Sequence, residues 1–71
     1  MNTEEKRIAL GAAVRERRLE QRLSQQTLAH MIGSSKSHIW RIESGRVGVG
    51  IDDLARIAEA LDISVSKLLP F

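Results

Sequence analysis

Apolar residues along this 71-residue chain recur three and four positions apart and nowhere alternate, so the pattern predicts helices and no strands. Leu10, Ala13 and Val14 mark the inner stripe of a first helix, from about Glu4 to Gln21. Asn2 or Thr3 can cap it, and Glu4 and Glu5 suit the positive end of its dipole. Arg17 and Arg18 fall where that stripe should continue, and Leu19 lies off it. Leu28, Ala29 and Ile32 share one face of a second helix, Gln25 to Ile32, which Ser24 can cap. Thr27 stands where a Glu or Gln would complete a capping box. Gly33 can take the left-handed conformation that ends a helix. Ser34 or Ser35 then caps a third helix, with Ile39 and Ile42 on one face and an end near Ser44-Gly45. The segment Arg46 to Gly50 reads as a loop. Ile51, Leu54, Ile57, Ala58 and Leu61 define a fourth helix, with Asp52 and Asp53 in its first turn. Ser64 caps a short fifth helix carrying Val65, Leu68 and Leu69, which Pro70 stops. No repeat, linker or low-complexity segment interrupts this all-α order.

Length and composition narrow the class. Seventy-one residues predict one domain, 1–71, with a small core that a second subunit would help to stabilise. With 42% hydrophobic and 28% charged residues, the chain is expected to fold rather than remain disordered. Trp40 and Phe71 are its two aromatics, so the core must be aliphatic. The lack of cysteine excludes disulfides and thiolate metal sites. His30 and His38, eight apart, make a poor metal site, and no cofactor is expected. The N-terminus has no apolar run suited to a signal peptide or membrane span, so the expected compartment is the cytoplasm, with no membrane partner.

Charge changes the picture more. Residues 1–46 hold nine Lys and Arg against five Asp and Glu, whereas residues 47–71 hold two against four. The second and third helices lie in the basic part, whose natural partner is a polyanion. Ile39 and Ile42 face inward there, leaving Lys36, Ser37 and Arg41 outward. A helix buried on one side and lined with donors on the other can enter a DNA major groove.

Within the unit Gln25 to Ser44, apolar residues occupy the fourth, eighth, fifteenth and eighteenth places, and Ala29 is small where helix 2 should cross helix 3, with Gly33 four residues later. With Ser24, Gly45 and Gly50 at the boundaries, this resembles the phage-repressor and Cro-like helix-turn-helix family. The likeness runs from about Leu10 to Leu69, through LGAAVRERR, LSQQTLA, the Ile42-Glu43-Ser44-Gly45 turn and IDDLARIAEALDISVSKLL. It implies a compact five-helix, lambda-repressor-like DNA-binding domain with its helix-turn-helix at helices 2 and 3. The short length also resembles restriction-modification controller proteins and small phage or antitoxin regulators. In the family the start of the third helix reads bases, which implies that role for Lys36, Ser37 and Arg41. Lys and Arg can donate to guanine O6 and N7, and a serine hydroxyl discriminates weakly. The resemblance gives Gln25 a phosphate contact that also braces the recognition helix. Ser44 and Arg46, after that helix, should reach the DNA backbone. It further implies an ion pair between Arg18 and Glu43, which would turn inward a carboxylate that would otherwise repel phosphate.

Some residues stay open between two roles. Trp40 lies between the buried and outward faces, so it either packs on the Arg46–Gly50 loop or touches DNA. His38 is a boundary residue with a groove contact as its alternative. Relatives bind palindromic sites as two-fold dimers, which implies a homodimer here. Its apolar candidates are Leu69, Phe71, Val65 and Ile63, with Leu68 assigned to the monomer core. Transcriptional control through double-stranded DNA is therefore expected, with an antitoxin or protein-docking module as the alternative. An outward face of donors favours DNA, because a docking surface should be more apolar. No nucleophile–base pair, paired acids or phosphate-binding glycine loop suggests an enzyme, and no small-molecule ligand is expected. The chain departs from the family pattern at Ser34, usually apolar, and at Val49-Gly50, which replaces proline-serine.

Overall fold

The computed structural model describes residues 1–71 as five helices without strands. They are α1 (Thr3–Glu20), α2 (Gln25–Met31), α3 (Lys36–Glu43), α4 (Ile51–Ala60) and α5 (Val65–Leu68). Their starts are fixed by side chains that satisfy otherwise orphaned N–H groups. Asn2, rather than Thr3, caps α1 by accepting from Glu5 N at 2.8 Å, while Glu5 accepts from Asn2 N at 3.3 Å, a full capping box. Ser24 accepts from Thr27 N at 3.0 Å and donates to the Thr27 hydroxyl at 2.9 Å. Of the two candidate serines before α3, Ser35 is the cap, accepting from His38 N at 3.1 Å. Ser64 caps α5, and Gly50 gives α4 no side-chain cap.

Helix ends follow from backbone chirality. Gly33 (φ +68°) and Gly45 (φ +75°) take the left-handed region after α2 and α3. The α2 helix stops at Met31, one residue short of the expected end, and Ile32 becomes its C-cap. Likewise α3 stops at Glu43, with Ser44 as its C-cap.

The core comprises Leu10, Val14, Leu28, Ala29, Ile32, Ile39, Ile42, Leu54, Ile57, Ala58, Leu61 and Leu68. Each fully buried Leu or Ile contributes roughly 1.5–3 kcal/mol. The α3 helix packs against both α1 and α2 and so sits at the centre of the molecule. Gly11 makes the α1 approach possible: a Cβ there would lie 2.2 Å from the Ile42 carbonyl oxygen. One sequence expectation changes. Ile51, expected on the inner stripe of α4, is 73% exposed, because as the first residue of α4 it precedes the turn that meets the core. Arg18, not an apolar residue, continues the inner stripe of α1 and is buried, while Arg17 and Leu19 face solvent. No helix is long and apolar enough to cross a membrane.

Candidate nucleic-acid interface

The α3 helix divides cleanly into two faces. Ile39 and Ile42 are buried, while Lys36, Ser37 and Arg41 are exposed. Those three residues join Gln25, Trp40 and Arg46 around an open cleft of about 430 Å³. Lys36, Arg41 and Arg46 pair with no carboxylate. Their charges are therefore available to an anionic ligand rather than neutralised within the protein. The Arg46 guanidinium lies over the Trp40 ring, 4.9 Å from its centroid, a cation–π arrangement that steers the loop arginine to the α3 surface. Trp40 itself remains 47% exposed. Ser44 is exposed at the end of α3, where its hydroxyl donates to the Arg41 carbonyl at 3.1 Å.

Beneath this face lies a charged anchor. Arg18 Nε donates to Glu43 Oε2 at 2.7 Å and Arg18 Nη2 donates to Glu43 Oε1 at 2.9 Å, a two-pronged pair. The third donor, Nη1, reaches the Leu23 carbonyl at 2.7 Å. Gln25 Nε2 also donates to Glu43 Oε1, at 3.2 Å. The side chains of Arg18 and Glu43 are 8% and 3% exposed. The Glu43 hydrogen bond holds Arg18 above the usual arginine range, against the opposing effect of burial. One acid at the end of α3 thus ties together α1, the start of α2 and α3. Its charge is matched inside, so it does not oppose an anion outside. Gln25 performs the bracing with one amide hydrogen and retains a second donor and its carbonyl.

His38 does not line the cleft. Its Nε2 lies 3.2 Å from Asp53 Oδ2, and Asp53 also accepts from Arg56 at 3.2 Å. His38 therefore links α3 to the first turn of α4. His30 is exposed on α2, and Met31 is 50% exposed beside it. Ile63, Val65 and Leu69 are half-buried against the core, whereas Phe71 is 55% exposed with Lys6 Nζ 5.6 Å from its ring centroid.

One exposed side chain near the anchor escaped the sequence reading. Arg15 lines a smaller cleft of about 200 Å³ with Gln25, Trp40, Glu43 and Ser44. Its one signal was its place relative to the helix crossing at Gly11. Arg15 stands four residues after Gly11 and three before Arg18, on the α1 face that meets the end of α3.

Comparison with known proteins adds context to this geometry. A helix-turn-helix family model matches residues 14–68. Among curated proteins none matches the sequence. The restriction-modification controller protein C.AhdI from Aeromonas hydrophila is similar, with a TM-score of 0.90 and 31% identity over 96% of this chain and 99% of that one. The clp gene regulator ClgR from Corynebacterium glutamicum has a TM-score of 0.87 and 35% identity, over 89% of this chain and 67% of that one. The P22 c2 repressor, solved in complex with synthetic operator 9T, has a TM-score of 0.80 and 28% identity, over 86% and 92% of the two chains.

Proposed function

The chain belongs to this helix-turn-helix family, and from that membership we propose that it is a sequence-specific, double-stranded DNA-binding regulator of transcription. It reads the major groove with α3, as a homodimer on a palindromic operator. The observation that carries the reading is the outward face of α3 and the loop after it, where Lys36, Arg41 and Arg46 stand free of acids beside Ser37. Similarity to a controller protein, to a gene regulator and to a repressor solved with its operator supports it.

The roles divide by chemistry. Arg41 offers a planar fork that matches guanine O6 and N7, and Lys36 offers a single rotating ammonium to the same atoms. Ser37 supplies a hydroxyl that either donates or accepts. Gln25, Ser44 and Arg46 hold phosphates and fix the register of α3 without reading sequence. Trp40 keeps Arg46 on the reading side and presents its free ring edge to the DNA. Leu69 and Phe71, flanked by Val65 and Ile63, form the dimer contact. The 71 residues act as one DNA-binding domain in the cytoplasm, by binding and not by catalysis.

Selection of bound sequences from a random duplex pool tests the reading. Enrichment of a palindrome with half-sites about one helical turn apart is expected. No enriched sequence would overturn it and favour a protein-docking role.

A further inference from the structure

Eight of the eleven Lys and Arg residues have no carboxylate within 4.0 Å, and four of those eight gather at the two clefts beside Trp40. Arg17, Arg18 and Arg56 each lie within 4.0 Å of a carboxylate. Arg15, Lys36, Arg41 and Arg46, which line the two clefts on either side of Trp40, have no such partner. Trp40 and Gln25 belong to both clefts and so form the wall between them. Lys36, Ser37, Arg41 and Arg46 account for one side of that wall. The other side holds Arg15 with Ser44 and the Gln25 amide, and no part of the base-reading set uses it.

Its chemistry is that of an anion cradle. Arg15 brings an exposed, permanent charge with five donors in a fork that fits two phosphate oxygens. Gln25 adds a neutral donor, the amide hydrogen that Glu43 does not use, and Ser44, whose hydroxyl hydrogen goes to the Arg41 carbonyl, lines the rim. The one acid in the cleft, Glu43, already accepts from both prongs of Arg18 and from Gln25, so its charge is balanced on its inner side. The Trp40 ring gives the cleft an apolar wall suited to a sugar beside a phosphate. Because Gly11 lets α1 touch the end of α3, Arg15 stands at the edge of the reading face rather than behind it.

We propose that Arg15, with Gln25, forms a second cradle for a backbone phosphate beside Ser44, on the α1 side of the reading helix. This inference rests on the DNA-binding reading above. It assigns α1 a direct part in binding and makes Trp40 the divider between the strand held by Arg15 and the bases read by Arg41.

The test is the salt dependence of affinity, measured for the wild-type chain, Arg15→Gln, Arg15→Lys and Arg17→Gln on the selected site and on a random duplex. Each neutralised phosphate contributes about 0.9 to the slope of log affinity against log salt. Arg15→Gln should make that slope shallower by about 0.9 and weaken both duplexes by the same factor. Arg15→Lys should keep the slope. Arg17→Gln removes the same charge from a different cleft, lined also by Glu20, Asp62 and Lys67, and should change the slope far less. An Arg15→Gln slope equal to the wild-type slope would overturn the cradle while leaving DNA binding intact, as would equal slope changes in Arg15→Gln and Arg17→Gln. A wild-type chain with no salt-dependent affinity for any duplex would instead overturn the DNA-binding reading, and the cradle with it.

Discussion

Glu43 carries more of this structure than any other polar residue, because it satisfies Arg18 and Gln25 at once in a nearly dry place. Removing one partner of a buried pair costs roughly 3–5 kcal/mol, since the other charge is left uncompensated. For a chain this short the whole stability is expected to be only about 4–10 kcal/mol. Glu43→Ala should therefore shift the urea midpoint far down or leave the chain largely unfolded, and a loss below about 1 kcal/mol would contradict the buried pair. Arg18 is held above the usual arginine range, so its part of the pair is complete at all lower pH and is lost only above that range. The arginine thus adds no pH dependence near neutrality. Gly11 is the second sensitive position. A methyl group there meets the Ile42 and Glu43 carbonyls at 2.2 and 2.8 Å, both backbone atoms that cannot swing aside. Gly11→Ala should cost at least about 1–3 kcal/mol by denaturant titration, and a neutral result would show that α1 can withdraw from α3 without loss.

At the scale of elements, local signals differ in how far they reach. Leu54, Ile57, Ala58 and Leu61 recur at helical spacing, so α4 was legible from the chain alone, as were the glycines that close α2 and α3. What the pattern could not resolve depends on neighbours distant in sequence. Arg18 enters the core stripe of α1 because Glu43, twenty-five residues away, meets it there. Ile51 fits the helical period but lies before the part of α4 that touches the core. The outward set Lys36, Ser37 and Arg41 followed from spacing, since inward isoleucines leave it only one side. Arg15 did not, because its place is defined by a helix crossing at Gly11 rather than by any period of its own. The choice between Ser34 and Ser35 as cap was likewise a matter of backbone geometry. Ser35→Ala should cost about 1 kcal/mol and weaken DNA binding by loosening the turn that presents Lys36 and Ser37, while Ser34→Ala should do neither. Paired melting and binding titrations separate the two, and equal effects would contradict the assigned cap.

For the whole molecule, size decides the mode of binding. The chain measures 30 × 23 × 21 Å and presents one outward helix, α3, of the proposed reading kind. Successive major-groove half-sites on one face of DNA lie about 34–36 Å apart, so in the proposed mode one copy reads one half-site and two copies are needed for a palindrome. Light scattering at micromolar concentration should give twice the chain mass, and Phe71→Ser together with Leu69→Ser should return it to a monomer. A wild-type monomer under those conditions would contradict the dimer but not the reading helix. The central question is whether the outward face of α3 reads bases or only attracts phosphate. The most direct measurement is the affinity of the wild-type chain and of Arg41→Ala for the selected site and for a random duplex at one fixed salt concentration. The wild-type chain should prefer its site by at least about 10³-fold. Arg41→Ala should lose about 1–3 kcal/mol on that site, with preference relaxed at one base pair and little change on the random duplex. Equal weakening on both duplexes would make Arg41 a phosphate contact and contradict the central claim.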